Sequence, residues 1–152
     1  MMAQASGSDA SKEVSLDRLW WVIPVAAALA ATANVIFYYI VTRWLGEPLL
    51  FPEQFPPPET SPMPVADVII FSLIFSLSAA FVFVLVANFS RRPIRTYLII
   101  SSIVLVLSFI LPLMAPTPPV TMPAKLTLVA MHIIGAIAVV GTLVGLSRQA
   151  SK

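Results

Sequence analysis

Four long apolar runs, separated by short polar joints, occupy residues 19–41, 65–89, 94–114 and 124–146. Each supplies about the 20 residues that a helix needs to cross a hydrocarbon core roughly 30 Å thick. The first run follows a polar, Ser/Ala-rich stretch and Arg18, as a signal peptide would. It continues past the Ala-rich positions that resemble a cleavage site, beyond a cleaved apolar core of about 7–15 residues. It therefore reads as a retained first span.

Composition strengthens the membrane reading. Of 152 residues, 59% are hydrophobic and 11% charged, with a mean hydropathy of +0.93. Soluble domains carry about 25% charge. Four spans and their joints leave no room for a soluble catalytic domain. The absence of cysteine removes disulfides, thiolate metal sites and cysteine nucleophiles from consideration.

Charge orients the spans. Lys12, Arg18, Arg91, Arg92, Arg95, Arg148 and Lys152 fall on one side if all four runs cross. Arg43 and Lys125 fall on the other, with Glu47, Glu53, Glu59 and Asp67. Basic residues concentrate in cytoplasmic joints, so both termini are expected in the cytoplasm. The predicted fold class is an all-α integral membrane protein, an antiparallel four-helix transmembrane bundle. Its helices cover about 19–43, 65–89, 94–114 and 124–146, between polar tails at 1–18 and 147–152.

The joints refine this picture. Ser90–Arg95 allows only a tight helix hairpin, and Pro93 suits a first helical turn because that turn needs no N–H from it. Thr121 and Pro123 are expected to start the fourth helix similarly. Ser15, before Asp17 and Arg18, reads as the start of the first. The outer loop, 46–64, holds seven prolines and should be semi-rigid and extended. Leu49, Leu50, Phe51 and Phe55 make it apolar enough to fold over the outer end of the bundle or onto a partner. Trp20, Trp21 and Trp44 suit the two interfacial belts.

In lipid, small residues let helices approach, and polar side chains find partners across helices. At about 100° per residue, Ala27, Ala30, Ala31, Asn34 and Tyr38 share one face of the first span. Ser72, Ser76, Ala79 and Phe83 share one on the second. Tyr97, Ser101, Val104, Ser108 and Pro112 align on the third, and His132, Gly135, Ala136 and Val139 on the fourth. By rise per residue, Asn34, Ser72, Ser76, Ser108 and His132 lie roughly 9–15 Å below the outer edge. This layer predicts a buried hydrogen-bonded cluster centred on Asn34 and His132. Its bland role is interhelical glue. Its functional roles are a proton relay, an ion path or a ligand pocket, since intramembrane ionisable residues are often functional and histidine changes charge near neutral pH.

Other candidates are simpler. Arg91, Arg92 and Arg95 could hold an anionic lipid head group, or only set topology. Ala138, Gly141 and Gly145 form a second small-residue face that could dock another helix or pack within the bundle. No cofactor or metal is expected, because no second ligand sits at the depth of His132. Phosphate-loop, nucleophile-elbow and dinucleotide patterns are absent from the sequence, as is any nucleic-acid-binding pattern.

The order of Trp20, Ala33-Asn34-Val35, a Pro-rich loop, Arg91-Arg92-Pro93-Ile94-Arg95-Thr96, Leu107-Ser108, Pro112 and Met131-His132 resembles a family of bacterial four-span membrane proteins. This is the domain of unknown function 6069 family, and the resemblance covers about residues 20–146. It implies a bacterial inner-membrane protein and no activity. The leading functional expectation is a non-enzymatic accessory or scaffolding subunit, docking in the bilayer on other membrane proteins or on itself through the fourth span. A small transporter or proton-conducting module using Asn34 and His132 is the alternative. An intramembrane lipid-modifying enzyme ranks last, because a lone histidine lacks an activating partner.

Overall fold

The computed structural model describes residues 14–52, 60–115 and 120–148. The tails beyond them, with Lys12 and Lys152, and the loop tip that holds Glu53, Phe55 and Glu59 lie outside the described residues.

A 3₁₀ turn, Leu16–Arg18, leads into α1, Leu19–Tyr39, and a π-helical turn, Ile40–Trp44, completes the first span. Ser15 starts this turn without a side-chain capping bond. Gly46 then takes φ 67°, a left-handed geometry that glycine adopts without a Cβ clash and that commonly ends helices. The described residues of the outer loop form more than an extended proline segment. Within it β1, Leu50–Pro52, pairs antiparallel with β2, Thr60–Pro62, in the register Leu50↔Pro62. A two-stranded ribbon leaves outer backbone groups that hydrocarbon cannot satisfy.

α2 spans Val65–Phe89, α3 Pro93–Ser108, α4 Ile110–Met114 and α5 Met122–Ser147. Among the described residues, with α3 and α4 taken together, four helices are long and apolar enough to cross a membrane. The third span was expected to be unbroken, and it breaks at Phe109. Pro112 has no N–H to give the Ser108 carbonyl, and its ring crowds that carbonyl. The backbone tightens instead, Phe109 N donating to Val106 O at 3.2 Å, before Leu113 N resumes helical bonding to Phe109 O at 3.1 Å. The fourth span begins where Thr121 Oγ1 accepts from Ala124 N at 3.3 Å.

Two apolar cores stack along the bundle. One joins Val14, Leu19, Val22, Ala26 and Ala30 to Ala80, Phe83, Val86, Tyr97, Val139, Leu143 and Val144. At this terminal end Ser15 N donates to Ser147 O at 2.8 Å, and Val14 bridges to Arg148. The other core joins Leu49 and Met63, which flank the hairpin, to Val68, Val120, Ala124 and Met131. Tyr38 packs there and donates to Met63 O at 2.9 Å, tying the hairpin to α1.

α1 packs most closely on α5 and α2, whereas the third span is peripheral. Its buried positions are Pro93, Tyr97 and Pro112. The expected inward face fails at Val104, which is 57% exposed. Lipid solvates valine as well as a protein interior does, so nothing drives that position inward.

Candidate functional site

Asn34 stands on α1 between the two cores, after Ala30 and before Val35. Ser72 stands likewise on α2, between Val68 and Ala80. Asn34 Nδ2 donates to Ser72 Oγ at 3.0 Å, and both residues are buried. Ser76, also buried, donates to the Ser72 carbonyl at 2.6 Å. On α5, Gly135 faces the same amide: a Cβ there would lie 3.2 Å from Asn34 Nδ2. Glycine thus gives α5 its close approach to the polar side chain of α1. Asn34 Oδ1 is buried and meets no partner among the described residues. The amide can donate twice and accept, so one hydrogen bond leaves it under-satisfied in a low-dielectric layer.

The other members of the predicted layer bond elsewhere. His132 is half-buried, and its Nδ1 lies 2.7 Å from Leu128 O, one turn back on α5. A carbonyl only accepts, so the bond requires Nδ1 to carry a proton. Across the helix pair the ring tilts against Phe75 of α2, at a centroid distance of 6.3 Å. Ser108 is half-buried and donates to Leu105 O at 2.7 Å within its own helix. Asn34, Ser72, Ser76 and Gly135 therefore come together. The hydrogen bonds of His132 and Ser108 stay within their own spans.

The second small-residue face is open. Ala138 is half-buried against the terminal core. Gly141 and Gly145 are exposed, and nothing lies within 4 Å of where their Cβ atoms would be. Unlike Gly135, they pack against no neighbouring side chain among the described residues.

Hydrogen bonds close the corner between α2 and α3. Ser90 N donates to Val86 O at 2.9 Å, and the Ser90 and Thr96 hydroxyls bond each other at 2.9 Å. Arg92 N donates to Ser90 Oγ at 3.2 Å. Buried Pro93 anchors the turn, and Arg91, Arg92 and Arg95 point outward, exposed. Among the described residues, no three His, Cys, Asp or Glu side chains gather as metal ligands would.

Sequence reasoning missed one buried cation and one aromatic contact. Lys125 is 6% exposed, and its Nζ reaches the Leu113 carbonyl at 3.5 Å, beside the end of α4. The signal was the short proline-rich joint, which brings the last carbonyls of one span near the first turn of the next. Tyr97 was placed on an inward face, but not in its contact with Phe83, edge-on at 4.7 Å. Its hydroxyl is buried without a partner among the described residues.

The sequence matches the model of the family of unknown function DUF6069 over residues 14–149, and the chain belongs to that family. No curated protein and no solved structure matches it.

Proposed function

We propose that this DUF6069 member is a non-enzymatic polytopic membrane protein, an accessory or scaffolding subunit that docks laterally on other membrane proteins. In this reading its four spans run antiparallel through a bacterial inner membrane, with both termini in the cytoplasm. The bond between Ser15 and Ser147 and the basic residues near the chain ends support that orientation.

The observation that carries the docking role is the open space over Gly141 and Gly145. Lipid tails supply no hydrophobic force between helices, so association relies on close van der Waals approach, which small residues permit. Glycine in a helix interior is destabilising by about 1 kcal/mol relative to alanine. Two such residues one turn apart, without a contact among the described residues to explain them, suit a partner helix.

The test is native mass determination after gentle extraction from the native host membrane. The wild type should run as an assembly heavier than the 16.4 kDa chain. Gly141→Ile with Gly145→Ile should release it as a folded monomer. A monodisperse wild-type monomer, or an assembly that survives both substitutions, would refute the role.

A second reading, a small transporter or proton-conducting module, is favoured by the unsatisfied Asn34 Oδ1 at the level of His132. It expects pH-dependent flux in liposomes that Asn34→Leu and His132→Leu abolish. Flux that persists in both variants would exclude this path.

A further inference from the structure

The described charges are polarised along the bundle. Around the terminal core stand Arg18, beside Leu19; Arg91, Arg92 and Arg95, flanking Pro93 and Ile94; and Arg148, after Ser147. All five are exposed, and Asp17 is the one described carboxylate among them. At the hairpin end Arg43 and buried Lys125 stand with Glu47 and Asp67, two of each sign. The five arginines come from three distant stretches of chain. Two hydrogen-bonded arrangements bring them to one rim: the bridge between the chain ends and the Ser90–Thr96 corner. Arg18 also donates from Nη1 to the Arg148 carbonyl at 3.4 Å, so its guanidinium rests against the other end of the chain.

We infer that this arginine rim binds the head groups of anionic phospholipids. It lies where the apolar spans end, at the level of lipid phosphates. Guanidinium offers planar paired donors that match a phosphodiester, and it gives up water more readily than an ammonium does. Basic clusters of four to eight residues beside a span attract anionic lipid, at roughly fivefold in affinity for each residue. Asp17 offsets part of that attraction. Because the chain-end bridge joins two of the three stretches, lipid bound across the rim favours the closed bridge over an open one.

Purified protein in zwitterionic detergent is titrated with phosphatidylglycerol or phosphatidylcholine, with retained lipids counted by native mass spectrometry and unfolding followed by temperature. Detergent removes membrane sidedness, so the effect of these arginines on topology does not enter. Phosphatidylglycerol should be retained in preference and should raise the unfolding temperature. Arg91→Gln, Arg92→Gln and Arg95→Gln together should reduce that preference at least tenfold, and Arg18→Gln with Arg148→Gln severalfold. Arg43→Gln, at the other end, should leave it intact. Equal retention of the two lipids, an Arg43→Gln loss as large as that of the corner variants, or the same stabilisation by inorganic phosphate would overturn the inference.

Discussion

Removing either partner of the Asn34–Ser72 bond deletes the same hydrogen bond, yet the two deletions should differ in cost. Ser72→Ala takes away the one partner of Asn34 Nδ2 and leaves both ends of a buried amide unsatisfied. The Ser76 bond survives, because it uses the Ser72 backbone carbonyl. The expected loss is the bond itself, about 0.6–1.7 kcal/mol, plus about 1–3 kcal/mol for the newly orphaned donor. Asn34→Ala loses the same bond and a little packing, but it also removes the orphaned Oδ1, which returns about 1–3 kcal/mol. Ser72 can then turn its hydroxyl to its own helix, as Ser76, Ser78 and Ser102 do. Asn34→Ala should therefore be near neutral, Ser72→Ala should cost about 2 kcal/mol or more, and the double variant should resemble Asn34→Ala. Reversible unfolding in mixed micelles, run as a double-mutant cycle, measures all three. If Ser72→Ala cost no more than Asn34→Ala, or the two effects simply added, the account of this layer would be wrong.

Three further outcomes follow from the fold. Tyr38→Phe removes the hydroxyl that holds Met63 O and should speed amide exchange at Met63, whose N–H bonds Leu49 O at 2.8 Å, while exchange near Val22 stays slow. Pro112→Ala restores a donor for the Ser108 carbonyl and should straighten the third span, lengthening the distance between spin labels placed near Tyr97 and Met114; an unchanged distance would mean that the proline does not cause the break. Nitrogen chemical shifts of His132 at neutral pH should show the proton on Nδ1, and a neutral ring protonated on Nε2 would contradict its bond to Leu128.

Hydropathy made the four spans legible because lipid imposes length and composition directly on sequence. It could not reveal the break at Phe109. Proline is tolerated in apolar helices, and whether it interrupts one depends on neighbours that re-satisfy the Ser108 carbonyl. Periodicity found Asn34, Ser72 and Ser76, since small and polar residues mark close helix approach in a solvent that rewards nothing else. It misjudged Val104 for the same reason, because apolar residues in lipid have no preferred side. Depth and periodicity together put His132 beside Asn34, but an i−4 carbonyl competes for a histidine ring as effectively as a neighbouring helix. The hairpin in the outer loop was hidden by its prolines, which are compatible with a two-stranded ribbon whose outer edges need no ladder bonds. The use of each glycine was the least legible feature. Gly135 and Gly141 look alike in sequence, and only the packing distinguishes the one against Asn34 from the one facing open space.

The glycine face is the centre of the functional account, and the chain, having no cysteine, permits a direct test of it. A single cysteine at Ile137, 68% exposed one turn before Gly141, is treated with a short bifunctional crosslinker in native membranes. A matching cysteine at Val106, 63% exposed on α3, serves as the lipid-facing control. A discrete heavier product is expected from position 137, absent from position 106 and lost when Gly141→Ile and Gly145→Ile are added. Equal products from both positions, or a product at 137 that survives the isoleucines, would contradict the docking role.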